Sequence, residues 1–354
     1  MYKELFLAII DPQNLFLAWN EFRRGKRNKE DVLLFEKNLE QHIFQLHRDL
    51  KDKTYVHGAY TDFYINDPKR RHIHKATVRD RVLHHALFQI LNRIYEPTFI
   101  ARSFSCRVGK GTHKGVQAAQ DMIRKVSKNN TRPCYVLKCD VRKFFDSIDH
   151  VILMRLLQKE VKDKNVLDLI STVIQSFDSG YSDLFSPHGL PIGNLTSQLF
   201  ANVYMNSFDQ FMKQILRAKH YARYTDDFIV VFEDAEYLLS LIQPIEDFLR
   251  TALKLSLHPE KVDIFKLNHG VDFLGTVLLP HHSQIRKKTR KRIVRKLNER
   301  IIAHNIELIS PDSLDQTMHS YLGVLSHTNS YKQGEELKNT YWCKVNKRRL
   351  LGVC

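Results

Sequence analysis

A chain of 354 residues with 43% hydrophobic content can bury a substantial core, either as two or three compact units or as one multi-lobed enzyme. Its 55 Lys and Arg against 39 Asp and Glu leave a formal charge of +16, which attracts polyanions, nucleic acid before acidic membrane. The scattered cysteines (Cys106, Cys134, Cys139, Cys343 and Cys354) form no Cys-x-x-Cys pair, and no apolar run reaches the length of a membrane span, so a reducing, cytoplasmic location away from membrane is expected.

The apolar start MYKELFLAII is ended by Asp11-Pro12; it is too short to span a bilayer and lacks a cleavage site. A basic run, Arg23-Arg24-Gly25-Lys26-Arg27, precedes a predicted helix from Lys29 to Lys51, with Val32, Leu33, Phe35, Leu39, Ile43, Phe44 and Leu46 at helical spacing. A strand-like stretch with Tyr55, Tyr60, Phe63 and Ile65 leads to a turn at Asp67-Pro68 and the cations Lys69, Arg70 and Arg71. An apolar-periodic helix follows from Asp80 to about Tyr95. The glycine-rich loop Arg107 to Lys114 lacks the four-residue gap of a nucleotide-hydrolase phosphate loop, and that reading is rejected. Its Arg107 and Lys110 remain candidate contacts for a nucleic-acid backbone.

YVLKCD, Tyr135 to Asp140, reads as a strand, and helical patterns run from about His150 to Phe177. Tyr181 to Asn194 is irregular, with Pro187, Gly189, Pro191 and Gly193. A helix from Thr196 to about Leu216 leads to two strands, Tyr221 to Tyr224 and Phe228 to Phe232, with Thr225-Asp226-Asp227 between them. A helix from Ala235 to Leu253, strands at Asp263–Phe265 and Phe273–Leu278, and a basic helical remainder complete an α+β pattern. His72, His74 and the pairs His84-His85 and His281-His282 are open to metal, but read first as surface or packing histidines.

The chemistry concentrates in three carboxylates. The strand after Asp226-Asp227 is apolar on both faces, hence central and buried. Two carboxylates at its mouth repel each other unless a cation neutralises them. Turn-forming aspartates are the structural alternative. Asp140 ends a second strand and adds the third carboxylate; strand ending or helix capping is its alternative role. Three such groups are what two Mg²⁺ ions roughly 3.5–4 Å apart require to activate an attacking hydroxyl and a leaving pyrophosphate. Mn²⁺ is the possible substitute.

Asp140 with an aromatic at Phe145, and the aromatic-x-Asp-Asp string Tyr224-Thr225-Asp226-Asp227, resemble the palm motifs of reverse transcriptases. The resemblance implies that Asp140, Asp226 and Asp227 hold the catalytic ions, with the Val141 carbonyl as a further ligand. It implies that Phe145 is the gate against a ribose 2′-hydroxyl, packing being its other role. Lys69 and Arg71 stand where these enzymes hold the incoming triphosphate. Arg79 and Arg81 are weaker candidates, a local ion pair with Asp80 being their alternative. Lys261, in LHPEKV, is a weaker candidate still for protonating pyrophosphate.

Between the motifs lies PIGNLTSQLFANVY, where most reverse transcriptases carry Gln-Gly and Ser-Pro. Ile192-Gly193 and Ser197-Gln198 resemble instead the enzymes of diversity-generating retroelements of bacteria and phages, as do DPKRRHI, RDRVLHHAL and SFSCRVGKGTH. Thr196 or Ser197 is expected to cap the helix. Ile192, Gly193 and Gln198 are expected at the nascent base pair, Gly193 because a bare backbone approaches closely. Phe273-Leu274-Gly275 matches the primer grip. The likeness runs from about Phe35 to Leu278 and implies copying of template RNA into cDNA from dNTPs, with errors chiefly opposite adenine. A small basic helical accessory protein is implied as partner. Ile192 cannot make the polar contact a Gln would, which would cost discrimination ~1–2 kcal/mol.

IRKKTRKRIVRKLNER carries an apolar stripe of Ile293, Val294, Leu297 and Ile301 with cations around it, Arg292 and Arg295 among them. Such a helix suits a template–primer duplex; an accessory-protein or membrane surface are alternatives. The expected fold is a right-hand polymerase with fingers, an antiparallel palm sheet and a helical thumb. Its expected divisions are 1–50 (helical extension), 51–278 (fingers and palm) and 279–354 (basic thumb). That length leaves no expected place for a nuclease domain. A related polymerase of phage defence and a non-catalytic RNA-binding scaffold are the alternative functions.

Overall fold

The structure, a computed structural model, describes residues 4–67, 69–177 and 188–345. Pro68 of the expected turn, the start of the irregular stretch from Tyr181 through Pro187, and Cys354 lie outside them. In chain order come α1 (Leu5–Ile10), α2 (Pro12–Phe22), α3 (Glu30–Lys37), α4 (Leu39–Lys51), β1 (Thr61–Ile65), β2 (Arg71–Lys75) and α5 (Val78–Tyr95). Then follow α6 (Thr112–Val126), β3 (Tyr135–Val141), α7 (His150–Glu160), α8 (Lys164–Gln175), α9 (Leu195–Gln210), β4 (Tyr221–Tyr224) and β5 (Asp227–Phe232). The last are α10 (Ala235–Leu253), β6 (Leu257–Lys266), β7 (Val271–Phe273), β8 (Thr276–Leu278), β9 (Ser283–Ile285), α11 (Lys287–Asn305), α12 (Pro311–Ser326) and α13 (Tyr331–Val345).

The chain forms two units, each from separate stretches: Met1–Gly111, Cys139–Phe228 and Ser240–Val262 in the first, Thr112–Lys138, Ile229–Leu239 and Asp263–Cys354 in the second. In the first unit α5 is the central helix. Val82, Leu83, Ala86, Leu87 and Leu91 are all buried, and it packs against α2 and α9. Thr77 caps it by accepting from the Asp80 N–H. Asp11 caps α2 in the same way, accepting from the Gln13 N–H at 2.7 Å, with Pro12 in the first helical position.

The single helix expected over Lys29–Lys51 is broken at Asn38, which leaves helical geometry at φ −124. The break lets α3 bury Val32 and Phe35 while α4 buries Ile43, Leu46 and Leu50. Leu33 and Phe44, expected in one stripe with these, are exposed. The helix expected to run to Leu216 is α-helical to Gln210 and finishes in a π-helical turn, Phe211–Ile215.

β1 and β2 form an antiparallel hairpin in which Tyr64 opposes His72 and Ile65 opposes Arg71. The main sheet has the order β4-β5-β3-β6. The ends of its strands that bear Asp140, Asp226 and Asp227 belong to the first unit.

In the second unit, the single strand expected at Phe273–Leu278 is a hairpin. Leu274 and Gly275 turn it at φ 50 and 86, and β7, β8 and β9 make an antiparallel sheet. Helices α11, α12 and α13 share a core of Ile293, Leu297, Ile301, Leu314, Met318, Leu325, Leu337 and Tyr341. Val294, expected in the apolar stripe, is exposed. Among the described residues no helix is long and apolar enough to cross a membrane.

Candidate active site

Strand β3 delivers Asp140 beside the hairpin of β4 and β5. The Val141 N–H donates to the Asp226 carbonyl at 3.1 Å, and the Arg142 N–H to the Ser256 carbonyl at 2.9 Å. These bonds fix β3 between the aspartate turn and the segment that enters β6. From β6, Lys261 Nζ donates to Asp140 Oδ1 at 2.8 Å. Burial pushes the Asp226 carboxyl above its ordinary range, and the Asp140 charge pushes it further; Lys261 and Arg71 pull it back. Asp140, Asp226, Lys261 and Arg71 therefore share one electrostatic neighbourhood. Asp227 is the first residue of β5 and is partly buried.

Two mutually repelling carboxylates, one of them raised by burial, suit a hard divalent cation that leaves coordination positions for phosphate. Among the described residues no group of three or more His, Cys, Asp and Glu side chains gathers into a metal cage. Of the histidines open to metal, His72 bonds Asp62 and stacks on Tyr64, while His84 is buried against His57 and Thr196.

The turn itself is strained. Thr225 is a β-branched residue at φ 57, a conformation such side chains rarely adopt. Its hydroxyl donates to Ser105 Oγ at 2.5 Å, and its carbonyl accepts from Arg223 Nη1 at 2.8 Å. Arg223 is fully buried and makes a two-pronged bond to the equally buried Asp209, Nε to Oδ1 at 2.8 Å and Nη2 to Oδ2 at 2.7 Å. The Tyr221 hydroxyl adds a bond to Asp209 at 2.7 Å, and Arg223 Nη2 reaches Ser103 Oγ at 3.1 Å. Sequence reasoning missed this cluster. Its one available signal was a cation inside the otherwise uncharged strand Tyr221-Ala222-Arg223-Tyr224.

The hairpin of β1 and β2 carries Lys69 and Arg71, both exposed. Its second strand is bonded to the Ile192 loop: the His74 N–H donates to the Ile192 carbonyl at 3.3 Å, and Asn194 Nδ2 to the His74 carbonyl at 3.4 Å. Gly193 lies against Ile73. Ile192 and Gln198 are partly buried. The Phe144 ring is buried in the core and meets Phe145 edge-on at 5.4 Å, leaving Phe145 the more accessible of the two.

Several expectations need correction. Neither Thr196 nor Ser197 caps α9; Asn194 occupies the cap position, and Thr196 Oγ1 bonds His84 Nδ1 at 3.2 Å. Asp80 does not pair with its neighbours Arg79 and Arg81. It is fully buried and accepts from Tyr55, Thr77 and Gly58, while Arg79 reaches Asp49 and Arg81 reaches Asp31. Arg107, a candidate contact for nucleic-acid backbone, has its guanidinium bonded within the chain, to Glu96 and to the carbonyls of Ile100 and Ser103. Lys110 is directed to the Ala101 carbonyl at 2.9 Å. Phe273 is wholly buried, its ring in the core.

Within the second unit, Leu274, Gly275 and Arg292 line a cavity of about 640 Å³ together with His113, Lys114 and His327. His113 and His327 stack there with ring centroids 3.7 Å apart. Arg295 is exposed on α11 and pairs with Glu299 at 2.8 Å.

Residues 65–278, more than half the chain, match the family described as reverse transcriptase (RNA-dependent DNA polymerase). Protein YkfC of Escherichia coli strain K12 is 25% identical over 249 residues, covering 60% of this chain and 62% of that protein. Group II intron-encoded protein LtrA of Lactococcus lactis is 25% identical over 225 residues, covering 61% of this chain and 36% of that one. The chain thus spans less than two thirds of the length of these relatives. A Candida albicans telomerase structure, in complex with a fragment of telomeric RNA, aligns at TM-score 0.49 and 11% identity over 84% of this chain and 61% of that one, too weak a likeness to bear on the fold. With its palm-type strands, its aspartate turn and a matched segment of this extent, the chain belongs to the reverse transcriptase (RNA-dependent DNA polymerase) family and has the α+β fold of a right-hand polymerase.

Proposed function

We propose that this protein is an RNA-directed DNA polymerase that copies a template RNA into cDNA. The observation that carries the reading is the meeting of Asp140 and Asp226 at adjoining strand ends, with Lys261 on one carboxylate and Arg71 within electrostatic reach of the other. In this reading Asp140, Asp226 and Asp227, with the Val141 carbonyl, hold two divalent ions, Mg²⁺ before Mn²⁺. Those ions would supply activation of the primer hydroxyl and neutralise the departing pyrophosphate. Lys69 and Arg71 grip the triphosphate of the incoming dNTP. Phe145 stands under its sugar and excludes a 2′-hydroxyl. Residues 51–278 act as fingers and palm and 279–354 as a thumb, whose exposed cations, Arg295 among them, hold the RNA–DNA duplex.

The finer proposal is an error-prone enzyme of the diversity-generating retroelement type, working with a small basic helical accessory protein. Ile192 supports it: the side chain is apolar and offers the base pair no hydrogen bond, and the backbone carbonyl is engaged by the His74 N–H. A contact of this kind, without a hydrogen bond, discriminates poorly between paired geometries.

Primer extension on a defined RNA template, with dNTPs and Mg²⁺, tests the polymerase reading. The purified chain is expected to make cDNA, and Asp226→Asn to lower the rate by about 10²-fold or more. An Asp226→Asn protein that extends as fast as the parent would refute the catalytic assignment. Sequencing the products reports errors opposite adenine, which Ile192→Gln is expected to reduce.

A further inference from the structure

We propose that Arg223 is the positioning residue of the aspartate turn: its buried guanidinium clamps the Thr225 carbonyl and so sets where Asp226 presents its carboxylate. The proposal rests on the catalytic reading of Asp226, and its experiment separates the two.

Three observations point the same way. Arg223 and Asp209 are both fully buried, and a buried ion pair of this kind gives little net stability over apolar residues of the same shape. What the pair offers beyond an apolar plug is direction. With Nε and Nη2 fixed on Asp209, the remaining prong, Nη1, can point only along the guanidinium plane, and it meets the Thr225 carbonyl at 2.8 Å. Second, the residue so held sits at φ 57, where a β-branched side chain is strained; such a conformation persists only where the surroundings over-determine it. Third, the other side of the same residue is also tied down, with its hydroxyl on Ser105 Oγ at 2.5 Å. Ser105 is itself held through its carbonyl by Asn202 Nδ2 at 2.9 Å. The strand behind is pinned along one edge by a parallel bridge to Ser103, the Arg223 N–H donating to the Arg102 carbonyl at 3.0 Å and its carbonyl accepting from the Phe104 N–H at 2.9 Å. The next residue, Asp226, then offers its carbonyl to Val141. The chain Asp209, Arg223, Thr225, Asp226 is continuous, and each link is a hydrogen bond or a peptide bond.

Lysine is the discriminating substitution. Arg223→Lys keeps a cation for Asp209 but has a single nitrogen, which cannot fork to Asp209 and reach Thr225 together. In the full chain, Arg223→Lys is expected to bind the RNA–DNA primer–template as the parent does and to keep its dNTP KM within about twofold, while kcat falls at least tenfold. Mn²⁺ binding, followed by electron paramagnetic resonance without substrate, is expected to weaken several-fold. A second variant, Arg223→Met with Asp209→Leu, leaves no charge buried and guards against a folding defect in the first; it too is expected to fold, bind duplex and turn over slowly. A folded variant of either kind with parental kcat and Mn²⁺ affinity overturns the proposal. So does a loss of kcat matched by an equal loss of duplex binding, which would mark Arg223 as a general support. Asp226→Asn is assayed alongside: if that protein is fully active, the catalytic reading fails and not the clamp.

Discussion

Val141 and Asp226 are joined by one backbone hydrogen bond, from the N–H of the first to the carbonyl of the second at 3.1 Å. That bond brings the end of β3 alongside the aspartate turn and puts the Asp140 charge where it raises the Asp226 carboxyl. Two segments more than eighty residues apart in the chain become one acidic site through it. The site then needs positive charge, and Lys261 supplies the nearest.

Removing that ammonium leaves the two carboxylates to repel each other. Lys261→Met is expected to melt a few degrees below the parent in chelator, and the gap is expected to shrink when Mg²⁺ is added, because the ion replaces the missing charge. A thermal shift assay with and without Mg²⁺ decides. An identical gap in both conditions would mean that Lys261 acts by packing alone.

Gly193 adopts φ 120, and a Cβ there would lie 3.2 Å from Ile73 Cγ2 on β2. Gly193→Ala therefore combines backbone strain, about 1–3 kcal/mol, with pressure on the hairpin that carries Arg71. The expected result is a lower melting temperature and a dNTP KM raised several-fold, measured by steady-state extension. Parental values for both would show that the loop and hairpin are not coupled.

Arg107 and the cations of α11 are expected to separate cleanly. Arg107→Ala breaks a partly buried two-pronged bond to Glu96, so it should cost about 1–3 kcal/mol in urea unfolding and leave the salt dependence of duplex binding unchanged. Arg295→Ala, on an exposed helix face, should do the reverse, reducing the slope of log K against log salt by about one contact. Equal salt slopes for all three proteins would remove α11 from the duplex interface.

Acid should weaken the fold through α5. Burial holds His84 down to about 3, and burial with the Lys26 charge holds His85 down to about 4, against an ordinary value near 6.5. Both folded values are depressed, so the unfolded chain takes up protons that the fold refuses. The stability these residues allow is complete above about pH 6.5 and is lost as pH falls toward 4, by up to about 1.4 kcal/mol per pH unit for each proton. His85→Phe keeps the edge contact to Phe22 and should flatten the fall by one proton. Asp226, whose carboxyl is raised, works in the opposite sense above its ordinary value, so the comparison is the difference between variant and parent. Unfolding midpoints across pH 4.5–7 that track each other would sink the assignment to His85.

The amino-acid sequence by itself determined the local elements and the chemistry they carry. The strand ending at Asp140, the turn at Asp226, the apolar helices α5 and α10, and the basic face of α11 follow from spacing within short windows. Those are the interactions that periodicity and turn preference encode. The break at Asn38 and the turn at Leu274-Gly275 were lost because each interrupts an apolar pattern that reads as continuous. Tertiary structure alone decided which charges serve the site and which serve the core. Arg107 and Arg71 look alike in sequence, yet one is consumed by Glu96 and the other acts on Asp226. Asp80 looks like a surface ion-pair partner and is a buried acceptor; Arg223, which no sequence pattern singled out, is buried behind the aspartate turn. In each case the deciding partner comes from another element, 120 residues away for Thr225 and Ser105. Burial and the geometry of a fork fix such pairings, and neither is written in the neighbouring residues.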